Sequence, residues 1–420
     1  MSDTAYALDV APPLPSEAAL PDRTDAIIVG GGLTGLSAAL HLTRHGLRTT
    51  LVEAGGIGDG ASGRNGGQLH PGQRRDQRWL EAHGGARLAD ALWRLGEEAL
   101  ALVHALRTEL KADCAWRPGL IEACHTDAAF AEATALADDM NARYRTGHEV
   151  LDHTALASAI GTRRYVGGVR DPHGGHMNPL ALVRALADAA HVEGAHLHGG
   201  TRAMSVRQTP HGWSVRVTRA GRTHEILAQT VILAGNGYMR GLSPYLDARV
   251  MPLRNYIIAT ERLTEPVIPA GEAVADSRAV IRYFRQDSEG RMVFGGGESF
   301  GRGPSDIAAF VRPYLAEVYP QLKDMPIVAA WQGTLGITRD RMPIIRRLSP
   351  GLYAGAGFSG QGLGLATFAG KVIADAVAGE ASRLDVFSRI AAPPFPGGRL
   401  FQTPLAQLAM AWFSIRDRLG

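Results

Sequence analysis

The chain predicts an α/β protein: one domain on a largely parallel sheet, and a second, α+β domain built on an antiparallel sheet. Three observations carry that expectation. Between residues 25 and 53, an apolar run, a glycine cluster, a helical pattern and a second apolar run follow one another, which makes a βαβ unit within about thirty residues. A similar buried-strand run returns at Thr230–Ala234, and the first domain is expected to resume near residue 328, so it is assembled from distant parts of the chain. Between 236 and 325 the pattern changes to short alternating runs, which suit a separate antiparallel sheet.

Taken in order, residues 1–23 read as a loosely held arm, because Pro12, Pro13, Pro15 and Pro21 oppose regular helix. Asp25–Val29 is rich in β-branched residues and reads as a buried strand. Leu36–His45 follows as a helix with Gly46 placed to end it, and Arg48–Glu53 is the next strand. Residues 86–112 and 127–147 carry helical periodicity around a strand at Trp116–Ala123, and Leu180–His191 is a further helix. Residues 195–227 alternate, with turns at Pro210–Gly212 and Ala220–Gly221. Strand-like runs fall at Tyr256–Thr260, Ala279–Arg285 and Arg291–Gly295, a helix at 305–318, and a last domain helix at 362–378. The expected division is an N-terminal arm (1–23), a discontinuous nucleotide-binding domain (24–85, 150–235 and 326–385), a substrate domain (86–149 and 236–325), and a tail with an amphipathic helix (386–420). A chain of 420 residues suits two domains.

Composition narrows the function. The net charge is +3, and only Lys111, Lys323 and Lys371 are lysines. No basic run interleaved with aromatics occurs, which argues against a nucleic-acid partner. Cys114 and Cys124 match no zinc spacing, and His173 and His176 lack the further ligands a metal needs, so no metal is expected. No leader pattern and no apolar run of about 20 residues is found, so the expectation is a cytoplasmic protein without a membrane span. Glycine is abundant, at 51 residues, and much of it falls in short clusters, which points to backbone lying close to ligands.

The first cluster is Gly30-Gly31-Gly32-Leu33-Thr34-Gly35. Gly30, Gly32 and Gly35 occupy the GxGxxG positions of a Rossmann-type turn, with a strand before and a helix after. A pyrophosphate fits there, against the helix N-terminus. Glu53, followed by Ala54, ends the next strand about 20 residues on, where a carboxylate accepts hydrogen bonds from ribose hydroxyls. The fingerprint serves NAD and FAD alike. The second cluster separates them: Gly60-Ala61-Ser62-Gly63-Arg64-Asn65-Gly66-Gly67-Gln68 comes directly after the ribose strand, and only the longer cofactor, FAD, needs more backbone donors there. A third cluster, Gly355 to Gly364 with Phe358, Ser359, Gly360, Gln361 and Gly362, leads into the last domain helix. The positive end of that helix would favour negative charge on the flavin ring. The resulting expectation is a Rossmann-type FAD-binding domain.

The segments DAIIVGGGLTGLSAALHL, GASGRNGGQ, TVILAGNGY, RYFRQDSEGRMVFGGG, WQGTLGITRDRMPIIRR, YAGAGFSGQGLGLATFAGKVIADAVAG and GRLFQTPLAQLAMAWFSIRDRLG are spread along the chain from the Rossmann turn to the C-terminus. In them the sequence resembles the D-amino-acid oxidase (DAO) family of FAD-dependent amine oxidases, and most of all the members that act on gamma-glutamylputrescine. The resemblance implies a backbone contact to adenine at Ala203, cofactor contacts at Ala234 and Gly235, and a flavin-lining role for Gly333 and for Phe358 to Gly362. Neither cysteine lies in a flavin-facing motif, so the FAD is expected to be non-covalent. The implied reaction is hydride transfer from an amine's α-carbon to flavin N5, imine hydrolysis, and reoxidation by oxygen to give hydrogen peroxide. The implied substrate is gamma-glutamylputrescine or a related polyamine derivative.

No single residue of the sequence identifies itself as the catalyst. Tyr256, Tyr283, Trp331 and His70 are candidates for the substrate pocket, each with an ordinary alternative as a core or wall residue. Arg282 and Arg285 are candidates for a substrate carboxylate, against the alternative of a solvated strand face. Some relatives use a lysine to promote the reaction with oxygen, and none occurs in Arg291–Phe300. An amino-acid dehydrogenase that passes electrons to a quinone or protein therefore stays open, as does a catalytically silent flavin module. The oligomeric state is not legible.

Overall fold

A computed structural model describes residues 4–11 and 19–397. The expected tail helix at 400–419 lies outside them. Two sheets organise the chain. In the first, the strands run in the order Ile344–Ser349, Leu352–Ala356, Arg222–Leu233, Arg23–Val29, Thr49–Val52 and His196–His198. From Leu352–Ala356 to His196–His198 every neighbour is parallel. Ala26, Ile27 and Ile28 are fully buried, as the strand of a sheet covered on both faces must be. The helices Leu33–Arg44 and Leu363–Val377 pack against each other on one face of it. The first begins three residues earlier than its apolar pattern suggests, because Gly32 is its N-cap and the fingerprint itself supplies its first turn.

The second sheet runs Ile327–Ile337, Met251–Arg262, Arg291–Ser299, Tyr283–Gln286, Ala273–Asp276, Arg117–Cys124, Gly167–His176 and Gln68–Leu69, with Glu149–Leu151 also on Gly167–His176. It is antiparallel except where Ala273–Asp276 lies parallel to Arg117–Cys124. Helix Ile307–Val318 covers one face, and its Asp306 cap accepts from the Ala309 amide at 2.9 Å. Phe284, Phe294, Val311 and Leu315 make that core.

Several elements differ from their expected place. Residues 222–233 form one strand rather than a hairpin arm and a separate core strand. Its first half pairs antiparallel with Gly212–Arg219 and its second half parallel with Arg23–Val29, so its apolar pattern changes midway. Ile327–Ile337 belongs to the second sheet, held by continuous pairing to Met251–Arg262, and the first sheet resumes only at Ile344. Gly167–His176, expected in the nucleotide-binding part, also pairs in the second sheet. Its DPHGGH stretch has no strand pattern, and its neighbour imposes the conformation. The run at Ala279–Arg285 is a strand only from Tyr283 onward. The expected loose arm is pinned at residues 5–9. Tyr6 packs edge-on to Trp331 and donates to the Asn65 carbonyl at 2.8 Å, and Asp9 pairs with Arg291.

Candidate active site

The four central strands of the first sheet end at Val29, Val52, Leu233 and Ala356, and the segments that leave them meet at one cavity of about 490 Å³. Ligands of open α/β sheets bind outside these carboxyl ends. One end of the cavity is mostly backbone. Gly30 has φ +119°, and a Cβ there would sit 2.7 Å from the Ala234 carbonyl carbon. Gly35 lies behind the wall: a Cβ on it would come within 1.9 Å of the Gly30 carbonyl oxygen, so only glycine lets helix and strand approach. The first turns of Leu33–Arg44 and of Leu363–Val377 both face the cavity, through Leu33 and Thr34 and through Leu363 and Ala366. Two helix N-termini converging on one glycine-walled space favour a bound anion. Arg64 and Arg202 add positive charge to the lining.

Polar side chains hold these loops. Glu53 accepts from the Gly31 amide at 2.7 Å and from the Gly55 amide at 2.9 Å. Ser62 accepts from the Leu33 amide at 3.0 Å. Asn65 donates to the Ser62 carbonyl at 2.7 Å and accepts from the Gly67 amide at 2.8 Å, which closes the second glycine loop on itself. Asn236 (φ 48°), Ser359 (φ 51°) and Arg341 (φ 69°) line the cavity in left-handed conformations, which non-glycine residues adopt at a cost and which cluster at functional sites. Asn236 accepts from the Gly357 amide at 2.8 Å, and the Ser359 carbonyl accepts from Arg74 Nε at 2.9 Å.

The chain matches the DAO family model, described as FAD dependent oxidoreductase, over residues 25–376. It belongs to that family. It is 38% identical over 400 residues to the probable oxidoreductase OrdL of Rhizobium meliloti, covering 94% of this chain and 92% of that one. It is 35% identical over 402 residues to the gamma-glutamylputrescine oxidoreductase of Escherichia coli, covering 94% of this chain and 93% of that one. Among solved structures, glycine oxidase from Geobacillus kaustophilus superposes with a TM-score of 0.73 at 22% identity, over 89% of this chain and 97% of that one. L-proline dehydrogenase from P. horikoshii superposes with a TM-score of 0.72 at 19% identity, over 87% and 96%. This member of the DAO family is therefore an FAD-dependent oxidoreductase acting on amine groups.

Most residues expected at the site from sequence face the cavity: Gly30, Gly32, Leu33, Thr34, Glu53, Ala54, Ser62, Arg64, Asn65, Gly66, Gln68, Ala234, Gly235, Gly333 and Phe358 to Gly362, with His70 and Tyr283. Gly35, Gly63 and Gly67 do not; their faces are taken by backbone at Gly30, Gly58 and Met177. Ala203 is outside the lining, because on its strand the neighbouring Arg202 faces the cavity. Tyr256 is also outside. Asn255 lines the cavity, so by strand alternation Tyr256 points to the opposite face, where it is fully buried against Phe310. Trp331 is fully buried behind the second glycine loop and donates to the Arg64 carbonyl at 3.0 Å. Arg282 pairs with Glu317 at 2.6 Å. Arg285, far from solvated, is 2% exposed and donates to the Gly66 carbonyl at 2.7 Å. His176 is buried against the Gly271 carbonyl, and among the described residues no cluster suits a metal ion.

Sequence reasoning missed the charged end of the cavity. Arg74, Glu298 and Arg341 line it, with Asn255 and the apolar Ala275, Ile281 and Leu335. Burial raises the Glu298 carboxyl to about 7, although Arg341 and Arg74 pull it down. Burial, with repulsion from Arg341 and Arg75, lowers Arg74 to about 10. Burial, helped by Arg74, lowers His70 to about 4, so its ring is neutral at pH 7. Tyr283 donates to Asn255, and burial holds its phenol well above the ordinary value. Strand alternation around Asn255 was the one available signal.

Proposed function

We propose that the chain oxidises the C–N bond of an amine, with gamma-glutamylputrescine or a related polyamine derivative as substrate, a non-covalent FAD as cofactor and oxygen as electron acceptor. The observation that carries the reading is a single cavity with two unlike ends. Its lining joins glycine-rich loops and the first turns of two helices to a mixed apolar and charged set, Ala275, Ile281, Leu335, Arg74, Glu298 and Arg341. The 35% identity to the gamma-glutamylputrescine oxidoreductase over 94% of the chain supports the substrate.

In this reading the amides around Gly30 to Thr34 receive the pyrophosphate, and the Glu53 oxygens accept from the ribose as well as from Gly31 and Gly55, since each carries two lone pairs. The loop 60–68 and the turn Phe358–Gly362 hold the ring system. FAD supplies the chemistry, accepting the hydride that leaves the amine's α-carbon. The chain's own task is to orient and shield. Ala275, Ile281 and Leu335 give an alkyl chain a dry wall, while His70 and Tyr283 stay neutral and keep competing charge away from the reacting carbon. Cys114 and Cys124 are buried away from the cavity, which supports a dissociable cofactor.

One observation favours a second reading. Arg74 and Arg341 both face the cavity and would suit a substrate carboxylate, as in an amino-acid dehydrogenase. Anaerobic mixing of the yellow protein with polyamines, gamma-glutamyl amines and amino acids tests both. Bleaching near ~450 nm, a property of the isoalloxazine, is expected with gamma-glutamylputrescine, followed by peroxide release under air. Bleaching by amino acids alone, without peroxide, would replace the first reading by the second.

A further inference from the structure

Three carboxylates line the cavity: Glu53, Asp59 and Glu298. The first two already accept from backbone, Glu53 from Gly31 and Gly55, and Asp59 from the Gly56 amide at 2.8 Å. Glu298 differs. It sits on Arg291–Ser299 opposite Asn255 and faces the cavity, and among the described residues no hydrogen bond or ion pair engages its carboxylate. Arg341 and Arg74 lie near enough to influence it without pairing with it. The other titratable groups of this end are Tyr283, whose hydroxyl is engaged by Asn255, and the neutral His70. A half-buried carboxylate that faces the cavity without a protein partner leaves its acceptor positions open to a cation bound there.

We propose that Glu298 binds the ammonium group of the incoming substrate and takes its proton, which makes it a catalytic residue of the amine oxidation. The inference rests on the amine reading above. At neutral pH an alkylamine arrives as R–CH2–NH3+, whose nitrogen has no lone pair to expel the α-hydride. Transfer of one N–H proton to the Glu298 carboxylate leaves a neutral amine and a neutral carboxyl, and the freed nitrogen lone pair becomes the carbon–nitrogen π bond as the hydride leaves to FAD. The carboxyl then loses its proton to water. A carboxyl raised to about 7 is matched to this exchange. The two arginines keep it ionised often enough to attract a cation.

The test uses tert-butylamine, which has no α-hydrogen and so binds without reacting. Its affinity for the FAD-loaded enzyme is measured by calorimetry from pH 5.5 to 8.5, alongside bleaching by reactive amines. The expected wild-type affinity is constant above pH 7 and falls about tenfold per pH unit below it, as the carboxylate is neutralised. E298Q is expected to bind at least about tenfold more weakly at pH 8, with no inflection near 7, a loss that corresponds to about 1.4 kcal/mol. E298D is expected to retain a pH-dependent curve. A flat wild-type profile, or an E298Q profile like the wild type's, overturns the proposal. If E298Q fails to hold FAD, the wild-type and E298D curves decide. Bleaching with a flat binding curve removes this inference alone, whereas bleaching by no amine at all removes the amine reading and this inference with it.

Discussion

Replacing Gly35 by alanine separates a conformational role for glycine from a packing one. The added Cβ would stand 1.9 Å from the Gly30 carbonyl oxygen and 3.2 Å from Ile28 Cγ2. A carbon–oxygen contact settles at about 3.3 Å, so helix Leu33–Arg44 must move off the strand by roughly 1.4 Å. The obstruction is backbone and cannot rotate away. Overpacking a core costs about 1–3 kcal/mol and sometimes more, and this case belongs at the upper end, about 3 kcal/mol. The same shift displaces Leu33 and Thr34, which line the cavity. FAD affinity should therefore fall about a hundredfold if that energy is recovered from binding. The control is Gly46→Ala, where φ is +80° and nothing lies within 4 Å of the new Cβ. Its cost is conformational only, about 1 kcal/mol, with FAD affinity unchanged within about twofold. Fluorescence titration of apoprotein with FAD, and melting with and without it, give both numbers. A Gly35→Ala protein that binds FAD as tightly as Gly46→Ala and melts with it would refute the reasoning.

Three other outcomes follow from the same geometry. Glu53→Gln keeps the shape but removes a charged acceptor of two amides; FAD affinity should drop about tenfold or more, read by the same titration, and an unchanged value would contradict a role at the ribose. Burial pushes the Cys114 and Cys124 thiols up to about 12, so iodoacetamide at pH 8 should label neither in the native protein and both in urea, and acid precipitation should release all the flavin; native labelling or protein-bound flavin would contradict this. Burial holds His41 and His70 down at about 4 and His176 at about 3 against an ordinary 6.5. The unfolded chain therefore binds more protons as pH falls below 6.5, and stability is lost from there down toward 4 and 3. Glu298, raised to about 7 from 4.5, opposes one of the three over that window, leaving a slope on the order of 2–3 kcal/mol per pH unit between pH 6.5 and 4.5. Urea midpoints that stay flat over that range would show the rings are not buried neutral.

The glycine-rich part of the cavity lining was legible because its pattern is local. Gly30 to Gly35, Glu53 and residues 60–68 carry their meaning in spacing along one βαβ segment, and the turn Phe358–Gly362 announces itself by its glycines. On the strand that carries Ala203 it is Arg202 that lines the cavity, because side chains alternate along a strand and which of two neighbours faces inward depends on the pairing register. The same alternation sent Tyr256 to the core and Asn255 to the cavity.

The sequence by itself determined the fold class, the family and the cofactor, since each rests on short-range patterns that survive without knowing what packs on what. Only the tertiary structure decided the charged end of the cavity. Arg74 leaves a loop, Glu298 ends a strand of the second sheet, and Arg341 sits in a strained turn before the first sheet resumes. Arg74 lies more than two hundred residues before the other two, Glu298 and Arg341 are 43 positions apart, and no periodicity links the three. What brings them together is strand pairing between distant segments, and what gives Glu298 its character is the loss of water around it, a property of the enclosure rather than of the residue.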